Sequence, residues 1–247
     1  LSKRAQGNYL LFLDADVILF DDLIEDVLSY LKAKRLGLVS LFPMQILQSF
    51  GEKASVPIMN YILLTLLPLF LVRISPFSSH AAANGQFMLF DASIYHKIKP
   101  HEHFKSEAVE DIAIARYFKK QKIKISFLSG ETRCQCRMYT SYREALNGFS
   151  KNIYHLFGNI KIFAFGFWLF SSLGFIPVLL IWPDYFFLYV LGAFSTIIFY
   201  SFAARQNVFL SLILWPLHLM FILHVLLYSL ILKKRKRVLW KERLIYP

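Results

Sequence analysis

The chain has 247 residues, 56% of them hydrophobic and 17% aromatic, with 25 phenylalanines, an excess over ordinary soluble domains. Its 28 Lys and Arg outnumber 16 Asp and Glu, for a net charge of +12, and the basic residues gather beside apolar segments, above all Lys233-Lys-Arg-Lys-Arg237. That placement fits anionic lipid headgroups and the cytoplasmic ends of membrane spans, and it argues against nucleic acid as the partner.

From Lys161 to Leu232 the only charged residues are Lys161, Asp184 and Arg205, so this tract is membrane material, whereas the stretch up to Met138 has the pattern of a soluble α/β domain. The opening Leu1-Ser-Lys-Arg-Ala-Gln-Gly7 has the look of a helix end running into a strand, and the chain is expected to be part of a longer unit. Tyr9 to Leu13 is a strand by length and residue type, and it runs into Asp14-Ala-Asp16. On a continuing strand the two carboxylates would share a face, where a divalent cation between them and a phosphate makes them tolerable. The triplet alone is not specific, since Asp-x-Asp arises by chance in about every other chain of this length.

Asp21-Asp22 is read as the cap of a helix carrying Leu23, Ile24, Val27, Leu28 and Leu31 on one side, with Gly37 as its breaker. Leu38 to Phe42 is a second strand, so strand, helix and strand predict a right-handed parallel unit. Residues 56–74 are almost wholly apolar but short for a span, and are read as one helix in the membrane interface. Asn84-Gly-Gln-Phe-Met-Leu-Phe90 is a turn feeding a strand; Ala108 to Gln121 is a helix with Glu110-Asp111 in its first turn. Lys122 to Leu128 and Thr132 to Tyr139 follow as strands, the second with Cys134 and Cys136 as small side chains on one face. Their spacing suits neither a mutual disulfide nor a zinc site.

Ser141 to Phe157 aligns Tyr142, Leu146, Phe149, Ile153 and Phe157, a face suited to the bilayer surface. Apolar stretches at 162–182, 185–203 and 208–232 come next. Three crossings would put Lys233 to Arg237 on the wrong side, so the first stretch, with Gly166, Gly174 and Pro177, is expected to be re-entrant or interfacial.

Sugar transfer from a nucleotide needs what these segments offer in order: carboxylates for a metal, a carboxylate base and a cation for the leaving diphosphate. Gly7 to Asp16, Ser40-Leu-Phe-Pro43, Ala83 to Phe90, Val109-Glu-Asp-Ile-Ala-Ile-Ala-Arg116, Cys136 to Arg143 and the closing Trp240-Lys-Glu-Arg243 together resemble membrane-bound glycosyltransferases of family 2. The chain is most similar to the bacterial branch that glycosylates carotenoids, the chlorobactene glucosyltransferases, and more distantly to ceramide and hopanoid-type glucosyltransferases.

The resemblance implies an α/β fold, a partial, Rossmann-like GT-A domain with a mixed sheet, followed by an α-helical transmembrane domain. It divides the chain at 1–138 (the GT-A part), 139–160 (interface helix), 161–232 (two to three membrane helices) and 233–247 (basic cytoplasmic tail). It implies Asp16 and Asp14 as ligands of Mg²⁺ or Mn²⁺, Asp111 as general base with Glu110 beside it, and Asn84, Gly85 and Gln86 near donor sugar and acceptor. Arg137 and Arg143 fall where relatives carry a Gln-x-x-Arg-Trp type element that holds the diphosphate, which this chain lacks in its usual form. The implied activity is inverting transfer of a hexose, from a UDP-sugar such as UDP-glucose, to a lipid or carotenoid hydroxyl. The implied setting is a bacterial plasma membrane, crossed several times, with the catalytic domain cytoplasmic.

Relatives carry a preceding nucleotide-binding segment, so the competing readings are a truncated, non-catalytic remnant or a polyprenyl-phosphate or ceramide-type transferase. A small channel or transporter would leave the acidic segments unexplained. Each site residue also has a plainer role open to it. Glu110 and Asp111 suit a helix N-terminus without any catalysis. Arg143 and Lys151 could meet headgroups, Tyr139 and Tyr142 could anchor at the interface, and His218 and His224 could pack between helices. His101 and His103, flanking Glu102, are read as a mobile acceptor loop without metal.

Overall fold

A computed structural model describes residues 4–67, 69–105, 107, 109–234, 239–240 and 243–244. Ala108, most of the Lys233–Arg237 cluster and part of the closing Trp240–Arg243 segment lie outside them. The chain forms two compact units, one of residues 1–46 and 66–138, the other of residues 47–65 and 139–247.

In the first unit β1 (Tyr9–Leu13) turns into β2 (Val17–Leu19), followed by α1 (Leu23–Lys34), β3 (Leu38–Phe42) and β4 (Met44–Gln45). The chain leaves for α2 (Phe50–Lys53) and α3 (Pro57–Leu66) and returns at α4 (Leu69–Ile74). Then come β5 (Phe87–Asp91), α5 (Ala92–Ile98), α6 (Pro100–His103), α7 (Glu110–Lys120), β6 (Ile125–Ser129) and β7 (Cys134–Cys136).

One sheet has the order β1-β5-β3-β6, with β5 antiparallel to both neighbours and β3 parallel to β6. A second has the order β2-β7-β4. The expected unit of β1, α1 and β3 keeps its direction, since both strands oppose β5. They are not neighbours, because β5 is inserted between them and turns the sheet mixed. Phe87 to Phe90 and Leu38 to Leu41 are buried along their whole length, as suits central strands covered on both faces.

Leu23, Val27 and Leu31 recur every four residues and are the buried face of α1, packed with Val39, Leu41, Phe87 and Leu89. Gly37 does not end this helix. Arg35 takes the left-handed conformation (φ 50°), and the Leu36 amide reaches back to the Leu31 carbonyl at 3.0 Å. Gly37 answers a different need: a Cβ there would lie 2.4 Å from Ile123 Cγ2. The expected single helix over 56–74 is two helices, α3 and α4, which fall in different units.

The second unit continues with α8 (Tyr142–Leu156), α9 (Lys161–Leu173), α10 (Phe175–Ile181), α11 (Phe186–Ala203), α12 (Val208–Ile213) and α13 (Trp215–Lys234). The short strands β8 (Leu239–Trp240) and β9 (Arg243–Leu244) pair antiparallel. A reciprocal cap opens α8. Ser141 Oγ accepts from the Glu144 amide at 3.2 Å, and Glu144 Oε2 accepts from the Thr140 amide at 2.8 Å.

The apolar face of α8 is turned inward rather than to lipid: Leu146, Ile153 and Phe157 are buried. Helix α13 covers it, with Tyr154 Oη donating to the Leu226 carbonyl at 3.0 Å and Ser150 Oγ to the Val225 carbonyl at 3.4 Å. Both histidines of α13 pack, His224 Nδ1 on Tyr142 Oη at 2.9 Å and His218 Nε2 on the Lys53 carbonyl at 2.9 Å.

Among the described residues two helices are long and apolar enough to cross a membrane, Pro183–Ala203 and Trp215–Lys233, and the bent pair α8 and α9 makes a third if taken as one span. Their outer surface fits lipid, with Phe187 71% and Phe199 67% exposed. The first apolar stretch breaks at Gly174 into α9 and α10, each short of a span, and α8 meets α9 at 108°.

Within the first unit, Lys119 ties α4 to α7. Its Nζ donates to the carbonyls of Leu71, Ser75 and His80 at 3.3, 2.8 and 3.2 Å, closing the C-terminal end of α4. Replacement by Met keeps the apolar stem and leaves the carbonyls without that donor. Lys119→Met is expected to cost about 1–3 kcal/mol. Hydrogen exchange at the amides of 69–80 should quicken in this variant; unchanged protection would contradict the role given to Lys119.

Candidate functional site

The site of the first unit is built where β1 ends. Leu13 closes the strand and Val17 begins β2, so Asp14-Ala-Asp16 is a turn, closed by the Val17 amide on the Asp14 carbonyl at 3.2 Å. The strand alternation expected to align the two carboxylates is therefore absent. The turn achieves the convergence instead: both side chains are exposed, and the negative charge of both reaches the Cys136 thiol.

The segment before β5 holds this turn. The Asp14 amide donates to the Gln86 carbonyl at 3.1 Å. Asn84 is locked from the far side by Ser40, whose Oγ accepts from the Asn84 amide at 2.8 Å and donates to its carbonyl at 3.0 Å. Within the loop Asn84 Oδ1 accepts from the Gln86 amide at 2.9 Å, and Asn84 Nδ2 donates to Gln86 Oε1 at 3.2 Å. Gln86 is buried, so its amide is engaged by protein rather than open to a ligand.

Helix α7 delivers the other carboxylates. Asp111 Oδ2 accepts from the Gly85 amide at 2.9 Å, and Oδ1 from the Ile112 amide at 2.8 Å. A plain first-turn carboxylate needs no such bond to a distant loop. Burial raises the Asp111 pKa, the Gly85 and Ile112 amides oppose the shift, and Glu110 adds to it. Burial thus outweighs the preference of a helix N-terminus for the ionised form. Glu110 is exposed, and its pKa is raised by partial burial and by the charge of Asp14.

Asp14, Asp16, Asn84, Gly85, Gln86, Glu110 and Asp111 thus form one connected neighbourhood. Arg137 is half-buried and directly follows the site's Cys136, whereas Arg143 is exposed on α8 in the second unit. The expected histidine loop is the short helix α6, where His101 stacks on Phe12 at 4.4 Å and Nδ1 meets Tyr95 Oη at 3.0 Å. Burial lowers the His101 pKa, which suits a packing residue.

Cys136 is the member that sequence reasoning passed over. Its Sγ accepts from Gln86 Nε2 at 2.8 Å and donates to Asp16 Oδ2 at 3.4 Å. Burial, with the nearby Asp16 carboxylate, pushes the thiol up to about 12, which favours the protonated form. The signal was present in β7, whose Cys136 faces Val17 across the pair beside Asp16.

Among the described residues no three His, Cys, Asp or Glu side chains converge to hold a metal by themselves. The exposed oxygen pair Asp14 and Asp16 fits a different arrangement. Mg²⁺ and Mn²⁺ take one or two carboxylates and fill the remaining positions with water and phosphate.

The raised Asp111 pKa sets a direction for stability. The folded state binds this proton more tightly than the unfolded one. The resulting stabilisation is complete below the ordinary carboxylate pKa and is lost as pH rises through the raised value. Ionised Asp111 therefore weighs on the fold at neutral pH. Asp111→Asn loses one of the two amide acceptors at every pH, so the test is the pH trend: its melting temperature relative to the wild type is expected to fall as pH drops from 7 into the acid range. A difference that does not change with pH would contradict this.

Residues 2–99 match the family described as Glycosyl transferase family 2. Neither a curated protein nor a solved structure matches the chain. The matched stretch holds the Asp14–Asp16 turn and the Asn84–Gln86 loop and ends before Glu110 and Asp111. The match is to the family as a whole and does not choose among carotenoid, ceramide and hopanoid branches. The likeness to glycosyltransferase family 2 thus covers residues 2–99 of the chain.

Proposed function

We propose that the chain is an inverting glycosyltransferase that moves a hexose from a nucleoside-diphosphate sugar to the hydroxyl of a membrane lipid. The observation that carries this reading is the Gly85–Asp111 hydrogen bond. It ties a carboxylate from α7 to the loop that holds the Asp14–Asp16 turn, in the domain matched to glycosyltransferase family 2.

Asp14 and Asp16 would hold Mg²⁺ or Mn²⁺, which when bound neutralises the charge that grows on the departing diphosphate. Asp111 takes the acceptor's proton. Its carboxylate is fixed by two backbone amides, and each oxygen keeps a further lone pair with which to accept that proton. The acceptor O–H bond breaks toward Asp111 as the oxygen attacks the anomeric carbon, and the carbon–phosphate oxygen bond breaks with its electrons leaving on the diphosphate. A carboxyl whose pKa is raised toward the working pH is a better base than an ordinary one. Asn84 and Gly85 border the sugar, and Arg137 is the cation assigned to the diphosphate.

The lipid acceptor is inferred from the second unit. It has two helices able to cross a bilayer and an outer surface rich in phenylalanine. Two crossings return the chain to the side it entered from, which accommodates the basic Lys233–Arg237 cluster on the cytoplasmic face. UDP-glucose as donor, and a carotenoid or related lipid as acceptor in a bacterial plasma membrane, are the specific forms of the proposal.

Membranes from cells expressing the chain, incubated with labelled UDP-glucose and Mg²⁺, are expected to transfer label to the organic-soluble fraction. Asp111→Asn should lower that transfer by about 10²–10⁴-fold. Asp16→Asn should lower transfer and raise the metal concentration that it needs. Unchanged transfer in both variants would contradict the assigned roles.

A further inference from the structure

Cys136 and Gln86 form a chain of hydrogen bonds that ends on a proposed metal ligand. Gln86 is fastened at three points: its carbonyl to Asp14, its amide N–H to Asn84 Oδ1, and its Oε1 to Asn84 Nδ2. Its remaining polar group, Nε2, reaches Cys136 Sγ at 2.8 Å. The Cys136 S–H is thereby directed away from Gln86, toward Asp16 Oδ2 at 3.4 Å. Strand pairing fixes the sulfur's starting point, since Cys136 is opposite Val17, the residue after Asp16, and its carbonyl accepts from the Ile46 amide at 2.8 Å. Both Cys136 and Gln86 are buried, whereas Asp16 is exposed. One side of an otherwise solvated carboxylate is therefore held by the protein interior.

We infer that Cys136, with Gln86 behind it, is a positioning residue that orients the Asp16 carboxylate for a divalent cation. The inference rests on the metal role proposed for Asp14 and Asp16. Cys136 touches neither metal nor substrate in this account. It restrains one oxygen of Asp16 and leaves the other to the ion, as partners behind metal ligands commonly do. Gln86, expected at the sequence level to meet donor or acceptor, acts instead through Cys136.

The test is Mn²⁺ binding to the purified full chain, read as loss of the free-ion EPR signal, with no donor or acceptor present. Cys136→Ala is expected to weaken binding about tenfold, and Cys136→Ser, which restores a donor, to stay within about threefold of wild type. In an Asp16→Asn background Cys136→Ala should add nothing, because its target is already changed. A purely packing role predicts the reverse order, with buried Ser as harmful as Ala or worse, and that order overturns the inference. Equal binding by wild type and Cys136→Ala also overturns it while leaving the transferase reading intact. If wild type binds no Mn²⁺, the metal role of the aspartates falls and this inference with it.

Discussion

Negative charge held together against its own repulsion is the constraint around which the first unit is organised. Asp14, Asp16, Glu110 and Asp111 come from two distant parts of the chain, and their fields overlap at Glu110 and at Cys136. Left to water they would separate. Backbone amides prevent it: Gly85 binds Asp111, and the Gln86 carbonyl takes the Asp14 amide. The loop between Ala83 and Phe87 therefore serves as a two-sided clamp. Ser40, buried in a central strand, fixes that clamp to the sheet.

The cost of this arrangement appears in the pKa directions. Burial raises Asp111, and burial with a neighbouring carboxylate raises Glu110. A fold selected only for stability would not gather these groups, and sites that trade stability for chemistry commonly do. A cation between the turn and a phosphate would relieve the same repulsion, so ligand binding and fold stability are coupled in one direction.

Much of the architecture was legible because local patterns agreed with the final packing. Leu23, Val27 and Leu31 mark the buried side of α1, and the spacing of Leu146, Ile153 and Phe157 marks that of α8. What escaped were facts of long-range pairing. Nothing local in Leu38 to Phe42 says that β5 will lie between it and β1. The left-handed residue after α1 is Arg35 although Gly37 is two positions away, since the glycine is required for contact with Ile123. In the site, Asp14, Asp16 and Asp111 stand out by residue type. Cys136 does not, because its importance comes from lying beside Asp16 across a strand pair. The apolar face of α8 could equally have met lipid or another helix, and its periodicity is the same in both cases.

The second unit provides the apolar setting in which a lipid acceptor makes sense, and the first provides the acidic site. The proposed function depends on the Asp14–Asp16 turn binding a diphosphate through a divalent cation. Calorimetric titration of UDP into the purified chain, with and without Mn²⁺, tests this most directly. The account predicts heat of binding only when Mn²⁺ is present. Equal UDP binding in excess EDTA would contradict it.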